Sequence, residues 1–134
     1  MMKYIASLFS FLLITVMSSP LLGQTPTVIQ WLSIGGQGAQ GVTVLVRVTE
    51  TDGVTPVTAN SGFTVQLCTY GMTYCMDYCA GNVNGSGQGS CTLDVNVPPG
   101  EYMLWLQYSG SDVDAPSEFR QPVAGDEGGG ISPV

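Results

Sequence analysis

The stretch that decides the fold covers residues 42–49 and reads Val42-Thr43-Val44-Leu45-Val46-Arg47-Val48-Thr49. Every second residue is valine, and two threonines, a leucine and an arginine occupy the positions between them. Because successive side chains of a strand point to opposite faces, this period of two predicts a strand with one buried face. A slip of one residue would bury the arginine, so the sequence also predicts a firm register.

Outward from this stretch, further short segments alternate with the same period. Residues that favour turns separate them, namely the glycines of residues 35–41, Asp52-Gly53, Asn60-Ser61-Gly62 and Pro98-Pro99-Gly100. The predicted strands cover residues 27–34, 42–49, 54–59, 62–69, 91–97, 101–108 and 119–123. Six or seven short strands at this spacing predict an all-β fold, a two-sheet antiparallel β-sandwich.

The alternation also predicts which side chains face the core. The inward residues expected outside residues 42–49 are Val28, Leu32, Ile34, Phe63, Val65, Leu67, Cys91, Leu93, Val95, Val97, Tyr102, Leu104, Leu106 and Tyr108. Trp105 alternates with the last of these and is expected on the opposite face of its strand. Residues 54–59 are expected to form a short edge strand, because Pro56 cannot donate to a ladder.

The N-terminus has the residue order of a secretory signal peptide. Lys3 precedes an uncharged apolar run over residues 4–17, and Ser18-Ser19-Pro20 then ends it. The run is shorter than the roughly 20 residues that span a bilayer. Residues 1–23 are therefore predicted to be a cleaved signal, which implies a secreted or cell-surface protein with no stable membrane insertion afterwards.

The charge balance excludes several functions. The chain has ten acidic residues, three basic residues and a net charge of −7, so nucleic-acid binding, which needs many Lys and Arg, is not expected. The absence of histidine excludes Ser-His-Asp and Cys-His catalysis, and we predict a protein that is not an enzyme. The acidic, glycine-rich residues 125–134 are predicted to be a disordered tail.

Two motifs are weak indicators of ligands. Gly36-Gln37-Gly38-Ala39-Gln40-Gly41 has the glycine spacing of a dinucleotide-binding loop, but it leads into a strand rather than a helix, so no cofactor is expected. Asp112, Asp114 and Glu118 lie close together in the sequence and offer oxygens to Ca²⁺, without a known calcium-loop spacing. A solvated acidic loop is the favoured interpretation, and no metal is predicted.

Four cysteines, Cys68, Cys75, Cys79 and Cys91, predict two disulfides in an exported chain. Their spacing does not fit paired zinc-binding knuckles. Cys91 is in phase with the inward residues of its strand and Cys68 is out of phase, so a direct bridge between these two conflicts with the pattern. The phases favour a disulfide from each of these two to either Cys75 or Cys79. All three possible disulfide connectivities remain open.

Residues 70–90 are predicted to form one long loop, which the disulfides pin to the sandwich. Tyr70, Tyr74 and Tyr78 recur in it every four residues. Tyrosine combines a large contact area with a polar tip, as binding loops require. We therefore take these three tyrosines and Trp105 as candidate ligand-binding residues; packing of the tyrosines back onto the sandwich is the alternative.

Two segments resemble known secreted domains. Residues 42–57, an alternating strand followed by Asp52-Gly53 and Pro56-Val57, resemble the opening of bacterial Ig-like and macroglobulin-like domains. Residues 89–102, a strand followed by Pro99-Gly100 and Tyr102, resemble the close of carboxypeptidase-regulatory-like and Cna-B-like domains. The resemblance implies an Ig-like sandwich over residues 24–124. Cna-B isopeptide crosslinks are excluded, because the single lysine lies in the predicted signal.

Two functional hypotheses follow for such a module. The first is a structural or assembly subunit of an extracellular fibre or cell-surface layer, whose partners are copies of itself or other extracellular proteins. The second is an adhesion module that binds carbohydrate or protein through an exposed surface of tyrosine and tryptophan, with Trp31 and Trp105 as the two indoles. We expect the first, because flat sheets with neutral polar faces and flexible termini suit packing against copies or partners; the second is the alternative. The fold-level resemblance does not itself choose between them.

Overall fold

The computed structural model describes residues 23–35, 41–58, 60–94 and 96–134. Within these ranges every regular element is a β-strand, and the strands in chain order are β1 (Thr27–Gly35), β2 (Val42–Glu50), β3 (Gly62–Thr69), β4 (Cys75–Asn82), β5 (Gln88–Leu93), β6 (Gly100–Tyr108), β7 (Ser117–Gly125) and β8 (Ile131–Pro133). They form two antiparallel sheets with the orders β1-β2-β5 and β4-β3-β6-β7-β8. The predicted all-β fold with two antiparallel sheets is confirmed.

The predicted signal peptide lies outside the described residues except for Gly23, and the glycine motif lies outside them except for Gly41. Among the described residues, no helix has the length and apolar character needed to cross a membrane.

The core lies between β2 of one sheet and β3 and β6 of the other. The four valines of β2 are fully buried. Facing them, the inward residues of β3 and β6 are also buried, in the predicted phase; they are Phe63, Val65, Leu67, Leu104, Leu106 and Tyr108. The alternation in these three strands thus predicted both the strands and the buried faces, because each strand has one face in the core and one in solvent.

Different contacts close the two open sides of the sandwich. On one side, the Cys79–Cys91 disulfide joins β4 to β5 and so links the two sheets. On the other side, the Nε1 of Trp31 in β1 donates to the Oε1 of Gln121 in β7 at 2.8 Å. The second disulfide, Cys68–Cys75, joins the neighbouring strands β3 and β4. Each strand cysteine therefore pairs with one of the two cysteines between them, as the strand phases favour.

The prediction of one long loop over residues 70–90 is wrong, because these residues contain β4 and the start of β5. The inward positions of β4 hold Cys79 and Gly81, which do not produce the apolar alternation of an ordinary strand. Glycine is required at the second position by packing. An added Cβ on Gly81 would lie 2.9 Å from the carbonyl oxygen of Ser90 and 3.0 Å from the ring of Phe63.

The phase predicted for the first strand is wrong at Val28 and Leu32, whereas Ile34 packs against the core as predicted. The register of β1 against β2 shifts between Trp31 and Ser33, so Leu32 occupies a bulge and is 41% exposed. Ile29 is the buried residue of β1, and Trp31 and Ile34 pack against the core on either side of the bulge. A bulge reverses the alternation of the residues that follow it, which a period of two cannot anticipate.

Three further predictions differ from the structure: an edge strand, the position of another strand and the disordered tail. Residues 54–59 form no strand within the described part and make one isolated bridge, from Thr49 to Pro56. The strand predicted at residues 91–97 lies at Gln88–Leu93, with Val97 buried beyond its end. The prediction of a disordered tail over residues 125–134 is wrong, because β8 pairs with β7. This pairing places Ile131 in the core, where it is 4% exposed.

Candidate functional site

The solvent-facing side of the five-stranded sheet brings four long side chains into one row across four strands. Gln66 of β3 lies directly opposite Tyr78 of β4 on one side and Trp105 of β6 on the other. Trp105 in turn lies directly opposite Arg120 of β7. Residues directly opposite each other in a sheet share a face, and the neighbours Leu67 and Leu104 are buried on the other one. We call the row of Tyr78, Gln66, Trp105 and Arg120 the aromatic strip.

The rows on each side of the aromatic strip carry mostly small or uncharged groups. One row consists of Ala80, Thr64, Gln107 and Glu118, and the other of Cys75, Cys68, Met103 and Pro122. The charged members of all three rows are Glu118 and Arg120. In the second row Cys68 is fully buried, and its disulfide with Cys75 covalently pins β4, which carries Tyr78, to β3.

Trp105 is held in place from β7. Its Nε1 donates to the Oε1 of Glu118 at 2.6 Å, and the guanidinium carbon of Arg120 lies 5.2 Å from the centre of the indole ring. An exposed cation over an aromatic face contributes about 0.5–1 kcal/mol. Glu118 and Arg120 also approach each other at 3.9 Å. The two charges therefore compensate each other beside the indole.

The amides of Gln66 and Gln107 and the ring of Tyr78 complete the surface. The Nε2 of Gln66 donates to the Oε1 of Gln107 at 3.1 Å, while Tyr78 is 67% exposed. A shallow, open groove of about 390 Å³ adjoins the strip at Trp105, and its lining also includes Gln107 and Glu118. The face thus combines aromatic surface with amide and carboxylate groups that form hydrogen bonds.

The other two candidate tyrosines do not join the aromatic strip. Tyr70 and Tyr74 lie in the turn between β3 and β4 and are 53% and 65% exposed. Thr69 organises this turn: its backbone N–H donates to the carbonyl oxygen of Tyr74 at 2.8 Å, and its Oγ1 accepts from the N–H of Thr73 at 3.1 Å. Tyr74 is four residues from Tyr78, roughly 13 Å along an extended strand.

Trp31 does not contribute to this surface either. Its side chain is partly buried against the core, and its Nε1 is bonded to Gln121. The opposite sheet presents Thr43, Leu45, Arg47, Gln88, Ser90 and Thr92 to solvent from β2 and β5. Among the described residues, the outer face that carries aromatic side chains is therefore that of the five-stranded sheet.

The acidic loop does not assemble a metal site among the described residues. No group of three His, Cys, Asp or Glu side chains comes together in them. Asp114 is 6% exposed and takes part in a turn, in which its backbone N–H donates to the Oγ of Ser111 at 3.0 Å. Glu118 is directed instead toward Trp105.

Four polar members of this surface were missed from the sequence: Gln66, Gln107, Glu118 and Arg120. Gln66 and Gln107 could have been found, because each alternates with buried residues in a strand that was correctly predicted. Glu118 and Arg120 required the register of β7 on β6, which the sequence alone does not give.

Comparisons with protein-family models, with curated proteins and with solved structures find no match to this chain.

Proposed function

We propose that the chain is a secreted, Ig-like binding module that acts at a cell surface or in extracellular material, with the aromatic strip as its contact surface. The observation that carries the proposal is the row itself, in which Tyr78 and Trp105 share a solvent-facing sheet with Gln66 and Arg120. Tyr, Trp and Arg are the residue types that dominate the energy of recognition surfaces.

The strand order supports the Ig-like assignment. In constant-type Ig domains the first, second, fourth and fifth strands form one sheet, and the third, sixth and seventh form the other. The division here is the same except for the fourth strand, because β4 pairs with β3, and β8 is added beside β7. Tyr102, near the start of the sixth strand, donates from its hydroxyl to the carbonyl oxygen of Pro98 at 2.7 Å. This bond has the form of the tyrosine corner of Ig-like domains.

The cysteines support an extracellular compartment. Both disulfides link pairs of strands, and such bonds persist in an oxidising environment such as the extracellular space. The apolar residues 4–17 supply a signal for export. Export is a premise of the proposal, since a module for cell-surface binding must reach the surface.

The test is retention of fluorescently labelled protein, beginning at Gln24, on the producing cells and their extracellular material. We expect wild type to be retained and the double variant Tyr78→Ser, Arg120→Ala to be retained at least tenfold less, since it removes both ends of the strip. Val54→Ser is the matched control, because Val54 is 68% exposed and lies outside the strip. Equal retention of the double variant and wild type would refute the proposal.

The assembly-subunit hypothesis predicts a different result. A fibre or layer subunit would show a molecular mass in light scattering that rises with concentration. If the strip variants abolished such a rise, the strip would be a contact between copies, and the chain would be an assembly subunit rather than an adhesion module.

A further inference from the structure

We infer that the ligand of the aromatic strip is an uncharged polysaccharide that crosses the strands of the five-stranded sheet. The inference rests on the proposed function and adds the chemical class of the ligand. Three features carry it: the alternation of aromatic and polar groups along the row, the charge balance, and the length and openness of the surface.

The residue types fit the two kinds of surface on a sugar ring. A pyranose has C–H faces that pack on aromatic rings and hydroxyls at its edge that both donate and accept. Tyr78 and Trp105 supply the aromatic rings. Gln66 and Gln107 supply amides, each of which has both donors and acceptors. The carboxylate of Glu118 adds a further acceptor at the adjoining groove.

The charges favour a neutral ligand over an anionic one. The chain has a net charge of −7, so an acidic polysaccharide is repelled as it approaches. Arg120 is the cation of the strip, and Glu118 at 3.9 Å offsets its charge. The local surface is therefore close to neutral and lacks the clusters of Lys and Arg that bind carboxylate or sulfate groups.

The spacing requires a chain rather than a single sugar. Tyr78 and Trp105 are two strands apart, which corresponds to about 10 Å. This distance exceeds the width of one ring, so contact with both aromatic side chains needs at least two linked sugars. The adjoining groove is shallow and open, which leaves room for the chain to continue. The surface therefore suits an internal segment of a chain rather than its end.

A protein ligand fits this surface less well. Tyr, Trp and Arg also anchor protein interfaces, but there they lie in a desolvated patch core that is more apolar than its rim. Along the strip, each aromatic ring is instead flanked by an amide or a charged group, and Trp105 already bonds through its indole nitrogen. The disulfide on the same face and the bond to Glu118 hold the surface in place before binding, which lowers the entropic cost of association.

The test uses affinity electrophoresis and Trp fluorescence with defined polysaccharides. The neutral probes are β-glucan, xylan and galactomannan, and the anionic probes are alginate and polygalacturonate. We expect binding to at least one neutral probe, weaker or no binding to the anionic ones, and at least tenfold tighter binding of its tetrasaccharide than of its monosaccharide. Binding restricted to the anionic probes, equal binding of monosaccharide and tetrasaccharide, or no binding at all would overturn the inference.

Variants locate the binding. Tyr78→Ser and Trp105→Ala should each weaken it at least tenfold, whereas Tyr74→Ser, at a similarly exposed tyrosine outside the strip, should leave it unchanged. The strongly exposed Tyr78 tests the strip even if the Trp105 variant folds poorly. Equal loss in Tyr74→Ser and Tyr78→Ser would overturn the placement on the strip.

Periodate treatment of the cells separates this inference from the proposed function. Periodate cleaves the vicinal diols of sugars, so we expect it to abolish retention. Because a purely 1,3-linked chain has no such diols, the cells are also treated with proteinase. Strip-dependent retention that survives periodate and is lost after proteinase treatment would refute the polysaccharide and keep the binding module, whose ligand would then be a protein. Retention that never depends on the strip would refute both.

Discussion

Cys79 and Cys91 stand in different sheets, with their Cα atoms 5.7 Å apart, and their disulfide is a covalent tie across the sandwich. Cys79 faces inward from β4, and Cys91 faces inward from β5. Because β4 and β5 are edge strands of different sheets, no backbone ladder joins them. The disulfide therefore holds together two edges that are otherwise joined by side-chain packing, by the intervening turn and by the hydrogen bond from the N–H of Asp94 to the Oδ2 of Asp77 at 2.9 Å.

Replacing this disulfide should strongly destabilise the fold. The two cysteines are 12 residues apart in sequence, and closing a loop of about this size contributes roughly 3 kcal/mol. We expect the double variant Cys79→Ala, Cys91→Ala to lose about 2–4 kcal/mol of unfolding free energy in urea titrations. The matched control is Cys68→Ala, Cys75→Ala, whose cysteines are 7 residues apart on hydrogen-bonded strands. A larger loss in the control would contradict this account.

Gly81 should not tolerate a methyl group. An added Cβ would lie 2.9 Å from the backbone oxygen of Ser90, which moves only if β5 moves. We expect Gly81→Ala to cost about 1–3 kcal/mol of unfolding free energy, the range for overpacking. Gly71→Ala is the control, because no atom lies within 4 Å of its added Cβ. If the two variants had equal urea midpoints, the close approach of β4 and β5 would be wrong.

Whether the sequence revealed a strand depended on the side chains at its inward positions. Large apolar residues occupy these positions in β2, β3 and β6, so alternation predicted these strands almost to the residue. In β4 the same positions hold Cys79 and Gly81, whose burial depends on a disulfide and on a close approach of two strands. Such contacts involve residues distant in space, and a local pattern does not report them.

The candidate site was likewise predictable from the sequence only in part. Trp105 and Tyr78 could be named from the sequence because their side chains are unusual there. Their placement in one row with Gln66 depends on two strand registers, and one of them involves a strand that the sequence did not predict. The spacing of Tyr70, Tyr74 and Tyr78 grouped the three tyrosines in one predicted loop. In the structure Tyr70 and Tyr74 lie in a turn, and Tyr78 lies in the strand that follows it.

The hydroxyl of Tyr102 should stabilise the connection between β5 and β6. It donates to the carbonyl oxygen of Pro98 at 2.7 Å, across the Pro98-Pro99-Gly100 turn. We expect Tyr102→Phe to lose about 0.5–1.5 kcal/mol of unfolding free energy, the usual contribution of one hydrogen bond. Tyr74→Phe removes a hydroxyl from an exposed ring and should change the urea midpoint little. Equal midpoints for the two variants would remove one support for the Ig-like assignment.

Asp52 should titrate well below an ordinary aspartate. Hydrogen bonds from the hydroxyl and backbone N–H of Thr55 and from the N–H of Val54 lower its pKa from 3.8 to about 2. Because the folded pKa lies below the unfolded one, the stabilisation is present above pH 3.8 and is lost as the pH falls through about 2. Thr55→Val removes the hydroxyl donor, so NMR titration should show a higher pKa for Asp52. Thr92→Val, a change on β5 away from this turn, should leave the pKa unchanged; an equal rise in both variants would contradict the assigned cause.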